Sequence, residues 1–402
     1  MNKPLNGVRV IDCTFFAAGP SAGRCLGEWG AEVIKVEPPK GDPARNAADP
    51  NDISFGVYNN NKKGIIINSK DPAGAKLMDE LIGTADVFLT SYRTDALARM
   101  GLDWETLHAK FPKLIWAQIN GFGDEGPDAA APGFDTVAYW ARSGAMADFV
   151  QEGQPIIIPP VAFGDVNSGA VLAGGIAAAL YGRTKTGEGE KVMVSLYGQA
   201  LYNMTYPVYD VQNGGTYPKS RTSAAIAMMN SFKCKDDKWI YMAILEYERY
   251  YPTVMKLIGR EDLLEDPRFC TSAAGKQNQV ELTAILDKGF LKYTRDEWDE
   301  LLTKADIAHS TVRTIEESLT DPQALENNYI IERTVRGGGK LKISQTPVKF
   351  GTIEDDGFSL APRRGEDTVE IMRSLHYTDE QIHEMAEEGI VQAIFKDETA
   401  GS

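Results

Sequence analysis

VRVIDCTFFAAGPSAGRCLGEWGAEVIKVE, residues 8–37, decides the fold of this chain. Val8-Arg9-Val10-Ile11-Asp12 is a short apolar run with β-branched residues, which predicts a strand. The small residues from Ala17 to Gly23 read as a turn, and Arg24 to Trp29 as the helix that follows it. Gly30 suits the left-handed position that closes a helix. Glu32-Val33-Ile34-Lys35-Val36-Glu37 then predicts a second strand. Strand, helix and strand in succession make the βαβ unit of doubly wound sheets. The turn holds no GxGxxG, so the dinucleotide fingerprint is absent.

Working outward, Gly64 to Asn68, Val87 to Thr90 and Leu114 to Ile119 predict further strands. Helices are expected between them at Pro72 to Ile82 and Trp104 to Lys110. This alternation predicts a mostly parallel α/β sheet to about residue 200. The segmentation expected is a large domain over 1–205, a polar linker over 206–224, a smaller α+β domain over 225–325 and a second linker over 326–340. Residues 341–402 return to the large domain. In the smaller domain, strands at Met228 to Cys234 and Lys238 to Leu245 flank a Lys235-Asp236-Asp237 turn. Helices follow near Tyr251 to Ile258, Gln279 to Lys292 and Arg295 to Ala305. Thr378 and Gln381 form a capping-box pattern ahead of a helix from Ile382 to Ala393.

The composition is that of a soluble globular protein: 402 residues, 43% hydrophobic and 25% charged. A net charge of −15 argues against nucleic acid or an anionic membrane as partner. The longest apolar stretch, Ala170 to Tyr181, is short and glycine-rich for a membrane span. Cys13, Cys25, Cys234 and Cys270 show neither CxxC nor metal spacing, and no signal peptide precedes the first strand. Reduced thiols and a cytoplasmic location are therefore expected. His108, His309, His376 and His383 have no zinc-like spacing, so no metal is expected.

The chemistry concentrates in Pro160-Val161-Ala162-Phe163-Gly164-Asp165-Val166-Asn167-Ser168-Gly169. Asp165 stands between a strand-like apolar segment, Pro155 to Phe163, and a small-residue helix, Ala170 to Tyr181. A carboxylate at a helix mouth feels the free N–H groups of the first turn, which favour its ionised form. An ionised, positioned carboxylate can attack an activated acyl group and hold it covalently. The alternative reading of Asp165 is a plain helix cap.

Taken in order along the chain, these motifs resemble the family III CoA-transferases. The resemblance runs through Pro4 to Asp12, Ala18-Gly19-Pro20, Gly30 to Glu37, and Gly41-Asp42-Pro43-Ala44-Arg45. It continues at Arg99-Met100-Gly101-Leu102, Gly121-Phe122-Gly123, Gly164-Asp165 and Thr186 to Glu190. In the smaller domain it includes Gly259 to Leu263, Asp266 to Phe269 and Thr294 to Trp298. It implies a Rossmann-like large domain built from both ends of the chain, a smaller α+β domain, and two subunits threaded into an interlocked homodimer.

The resemblance also implies that Asp165 is the catalytic aspartate, carrying CoA between a thioester donor and a free carboxylic acid through a mixed anhydride and an aspartyl-CoA thioester. The resemblance implies no permanently bound cofactor, CoA thioesters being substrates. The positions that fall on the family's CoA groove are Ala17, Ala18, Val33, Lys70, Ser91, Tyr92, Arg93, Arg99, Met100, Phe134 and Asp135. Departures from the oxalate-using branch are Ala17 in place of a glutamine and Pro132 in place of a lysine. Ser223 to Met229 stands where that branch has a glycine-rich loop. These argue against oxalate and formate. Phe15, Phe16, Trp140, Met228 and Met229 are candidates for an apolar acyl pocket. The branch most resembled is the anaerobic transferases acting on phenyllactate and related 2-hydroxy acids, with aryl- or alkyl-enoyl-CoA donors. Three rivals remain: a racemase of the same fold, which would need a histidine where Phe134 stands; a nicotinamide dehydrogenase; and a non-catalytic CoA-binding protein.

Overall fold

The computed structural model describes residues 3–46, 48–49, 52–224, 226–336, 338–351 and 357–395. Ala225 and residues 396–402, assigned above to the smaller and large domains, lie outside the described residues. The chain forms two compact units, one of residues 1–146, 158–208 and 328–402, the other of residues 147–157 and 209–327.

The first unit is built on a seven-stranded sheet. Its elements are β1 (Arg9–Cys13), α1 (Ala18–Glu28), β2 (Glu32–Glu37), α2 (Ile53–Asn59), β3 (Lys62–Ile67), α3 (Pro72–Gly83) and β4 (Val87–Thr90). They continue with α4 (Thr94–Met100), α5 (Trp104–Lys110), β5 (Ile115–Asn120), a π-helical segment at Asp135–Ala141, and α6 (Ala145–Asp148). Then come α7 (Phe163–Thr186), β6 (Lys191–Ser195), α8 (Leu196–Asn203) and α9 (Thr205–Gln212), with α6 and α9 each running past the unit's bounds at residues 146 and 208. The sheet order is β3-β2-β1-β4-β5-β6, all parallel. The chain runs outward one way from β1 to β3 and the other way from β4 to β6. The crevice between β1 and β4 is therefore a topological switch point, where open α/β sheets receive ligands.

Helices cover both faces, which is why the central strands read as nearly unbroken apolar runs. Ile11, Ile34, Ile65 and Phe88 point to one side, against α3 residues Leu77, Leu81 and Ile82. Val10, Val33, Val87 and Ala117 point to the other, against Leu26 of α1 and Leu172, Ala173 and Ile176 of α7. Two lysines break the apolar pattern. Lys62 Nζ pairs with Asp12 Oδ2 at 2.7 Å and Lys35 Nζ with Asp42 Oδ2 at 2.9 Å, all four side chains fully buried. Burial pushes Lys62 down to about 8. Burial alone would raise the Asp12 carboxyl, yet Lys62 and Lys35 beside it hold it below its ordinary value.

The second unit has β7 (Met229–Lys233), β8 (Trp239–Ala243), α10 (Tyr247–Ile258), α11 (Ser272–Gln277), α12 (Gln279–Phe290), α13 (Arg295–Lys304), β9 (His309–Thr311), α14 (Ile315–Ser318) and α15 (Pro322–Glu326). Its strands form an antiparallel sheet in the order β7-β8-β9. Phe232, Tyr247, Tyr251, Phe290 and Trp298 make its core. The chain then returns to the first unit through a hairpin, β10 (Ile330–Thr334) and β11 (Lys340–Ser344). Last come α16 (Thr368–Ser374), α17 (Asp379–Glu387) and β12 (Val391–Gln392), which pairs antiparallel with β3.

Several local expectations are corrected. Residues 18–23 are helical rather than a turn, because Pro20 sits in the first turn of α1, where its missing N–H costs no bond. Gly30 does take the left-handed conformation, with φ +107°. Residues 155–162 are irregular rather than a strand, since Pro155, Pro159 and Pro160 cannot donate to a ladder. Helix α7 is longer than the apolar stretch within it, and has the length and apolarity of a membrane span. Ser168, Gly169, Leu172, Ala173, Ile176 and Leu180 are nevertheless buried within the unit. The segment expected as a first linker opens with α9, and the second carries β10. The Thr378 capping box forms as expected, but it starts the last helix at Asp379, and that helix ends at Glu387.

Candidate active site

The loops leaving β1, β4, β5 and β6 converge at the switch point around a cavity of about 280 Å³. Among its lining residues are Phe15, Phe16 and Ala18 after β1, Ser91, Tyr92, Arg93 and Thr94 after β4, and Asn120 and Gly121 after β5. Pro132, Gly133 and Phe134, Leu196 at the start of α8, and Asp165 complete this wall.

Each wall is held from behind. Thr14 donates its backbone N–H and its hydroxyl to Asp12 Oδ1, at 3.0 and 2.5 Å. Lys35 Nζ donates to the Thr14 carbonyl. Phe15 N donates to Ser91 Oγ at 3.0 Å, and Phe16 N to Asp42 Oδ1 at 3.2 Å. Phe16 is thereby fixed in the left-handed region, φ +61°, a strained position that presents its ring outward. The buried Lys35–Asp42 and Lys62–Asp12 pairs thus lock the loop that lines the site. Phe15 packs edge-on to Tyr92 at 4.9 Å, and Phe16 edge-on to Phe134 at 5.7 Å. Gln118 Nε2 donates to the Tyr92 carbonyl at 2.8 Å.

Asp165 reaches the cavity because α1 and α7 pack closely. A Cβ on Gly169 would lie 2.5 Å from the Ala18 carbonyl oxygen, so only glycine allows this approach. Asp165 is the third residue of α7; Ala162 occupies the capping position and no side chain caps the helix. The cap reading of Asp165 therefore falls. Its ionisation also differs from expectation. Burial, and next the charge of Asp135, push the Asp165 carboxyl up to about 7, outweighing the helix N-terminus.

The sequence-derived positions divide. Ala18, Ser91, Tyr92, Arg93, Phe134 and Asp165 line one cavity, together with Phe15, Phe16 and Pro132. Ala17 is buried at the start of α1, and Val33 is buried in the core between the sheet and α1. Lys70 is exposed, Arg99 is exposed and paired with Asp95 at 2.8 Å, and Met100 is exposed on α4. None of these five lines the cavity. Asp135 lies buried behind Phe134. Trp140 is buried against Phe163, ring centroids 5.6 Å apart, and Met228 belongs to the core of the second unit, where Met229 opens β7. Sequence reasoning passed over Thr94, Gln118, Asn120 and Leu196. For Gln118 a signal existed: it is the polar residue near the end of an otherwise apolar strand. No histidine lines the cavity.

A Rossmann-type sheet with a carboxylate facing an aromatic-walled crevice at its switch point defines an α/β protein with a ligand site at the strand ends. The sequence profile of CoA-transferase family III matches residues 5–368, and the chain belongs to that family; it is a transferase. It is 36% identical over 396 residues to the (R)-2-hydroxy-4-methylpentanoate CoA-transferase of Clostridioides difficile, covering 96% of this chain and 99% of that protein. It is also 36% identical to the cinnamoyl-CoA:phenyllactate CoA-transferase of Clostridium sporogenes, covering 95% of each. Among solved structures, a CAIB/BAIF family protein from Brucella suis superimposes with a TM-score of 0.81 at 26% identity, over 93% of this chain and all of that one.

Proposed function

We propose that this transferase moves CoA from an acyl-CoA with an apolar or aryl acyl group to a free 2-hydroxy acid, with Asp165 as covalent acceptor. The observation that carries this reading is the Asp165 carboxylate in a cavity walled by Phe15, Phe16, Tyr92 and Phe134. The names of the two clostridial relatives support the substrate class. Asp165 attacks the donor carbonyl carbon; the C–S bond breaks, CoA leaves as thiolate, and a mixed anhydride remains. The thiolate attacks the Asp165 carbonyl of that anhydride, forming an aspartyl-CoA thioester and expelling the donor acid as carboxylate. The acceptor carboxylate attacks this thioester in turn, and the returning thiolate takes the acceptor acyl group and frees Asp165. One negative charge is carried throughout, and no proton is consumed. The apolar walls suit this route, because both intermediates would hydrolyse in a wet site.

The test is peptide mass spectrometry after incubation with a panel of acyl-CoAs and trapping with hydroxylamine. A label on the Asp165 peptide, absent in Asp165→Ala, is the expected result. CoA binding with no adduct from any thioester would overturn the covalent route.

The working molecule is proposed to be a homodimer. Val161, Phe163, Val166, Val171, Tyr181, Tyr202 and Tyr206 are exposed large apolar side chains on or beside α7, α8 and α9. Apolar exposure on this scale marks an interaction surface.

A further inference from the structure

Asp135 opens the π-helical segment and is only 6% exposed. Neither of its carboxylate oxygens has a hydrogen-bond partner. The side chain lies against the first turn of α7: a Cβ built on Gly164 would fall 2.2 Å from Asp135 Oδ1. The carboxyl faces the N–H groups of Ala162, Gly164 and Asp165 without closing a well-aligned bond to any of them. Two carboxyls therefore crowd one helix start, one at the cavity wall and one sealed behind it.

Among the described residues, no cation offsets either carboxyl. From α2, Tyr58 feels both carboxylates, and its hydroxyl is raised by burial and then by Asp165 and Asp135. Tyr139, one turn along from Asp135, accepts a bond from Asn203 of α8 at 2.5 Å. Arg24 on α1 is engaged by Glu28 at 2.6 Å. An unpaired buried carboxylate is costly, and two side by side are costlier still, so such pairs retain a proton.

We propose that Asp135 is a positioning residue that sets the charge of Asp165: just below neutral pH the two carboxyls share one proton, leaving a single negative charge at the start of α7. This rests on the reading of Asp165 as the acyl acceptor. Burial raises the Asp135 carboxyl to about 6 and, with the charge of Asp135, the Asp165 carboxyl to about 7. In the reaction, the pair would keep a second full charge away from the departing thiolate. It would also place the acid limb of the rate near neutrality.

The test is a ¹³C NMR titration of protein labelled at the aspartate carboxyl carbons, with the two resonances assigned from Asp135→Asn and Asp165→Asn. Coupling is reciprocal, so each substitution is expected to lower the titration midpoint of the other carboxyl by about one unit or more. The acid limb of the trapping rate should move down by the same amount in Asp135→Asn. Midpoints that stay within roughly 0.3 units in both variants, each folded by circular dichroism, would overturn the proposal. So would an Asp135→Asn protein that merely loses rate with its acid limb unmoved. Coupled midpoints in a protein that forms no adduct would sink the covalent reading and leave the shared proton standing.

Discussion

At Gly164, an added methyl group would stand 2.2 Å from Asp135 Oδ1 and 2.3 Å from the ring of Tyr139. Both neighbours are buried, and Tyr139 is further tied to Asn203. Gly164→Ala should therefore destabilise by about 1–3 kcal/mol and displace the first turn that carries Asp165. Denaturant melts and adduct yield should fall together; an unchanged melt would remove the steric argument. Asp165 itself makes a different prediction. Its pKa is raised, so the native state keeps a proton that the unfolded chain has already lost. Stability therefore falls as pH rises from about 4 to about 7. Asp165→Asn should be inactive yet more stable than the parent at pH 8, by on the order of 2 kcal/mol, with the difference vanishing near pH 4. Thermal melts across that range check the sign.

At the scale of elements, the site is where four strand ends and two helices agree on one point. Lys62, at the start of β3, reaches Asp12 of β1, and also donates to the Pro20 carbonyl at 2.8 Å and Asn59 Oδ1 at 2.9 Å. One ammonium so ties β1, α1 and α2 beneath the loop that lines the cavity. Lys62→Met leaves Asp12 buried without its ion-pair partner, with only the charge of Lys35 nearby, and should cost about 3–5 kcal/mol. Adding Asp12→Leu should restore much of that loss without restoring activity, since Thr14 then loses the acceptor that sets the loop. Urea melts of the single and double variants, read beside trapping rates, separate the two roles. The elements themselves were legible where periodicity was strong. β2, β4 and α5 fall at their expected bounds, and the Thr378 capping box is present. Structure departs from local pattern where proline chemistry is decisive: Pro20 lies in a helix, because a first helical turn tolerates it, and residues 155–162 are irregular, because their prolines cannot join a ladder.

At the scale of the whole molecule, the exposed apolar side chains around α7 and α8 lead to an expectation about assembly. Sedimentation equilibrium should give twice the chain mass, and Val171→Arg with Tyr202→Arg should shift it toward the monomer. A monomeric parent protein at micromolar concentration would remove the proposed dimer. By itself, the sequence determined the βαβ opening, the mostly parallel sheet and the candidacy of Asp165, because strand and helix periodicity and small-residue spacing are local properties. It also carried the family, through motifs spread in order along the chain. The tertiary structure alone decided which candidates share a cavity. Ser91, Tyr92, Arg93 and Phe134 meet Asp165 there, whereas Val33 is core, and Lys70 and Arg99 stand apart in solvent. It alone buried Asp165 and set Asp135 near it, which together raise its carboxyl to about 7 where the helix start by itself would favour the charge. Burial and the approach of two charges depend on how distant segments pack, and no local pattern of residues encodes that distance.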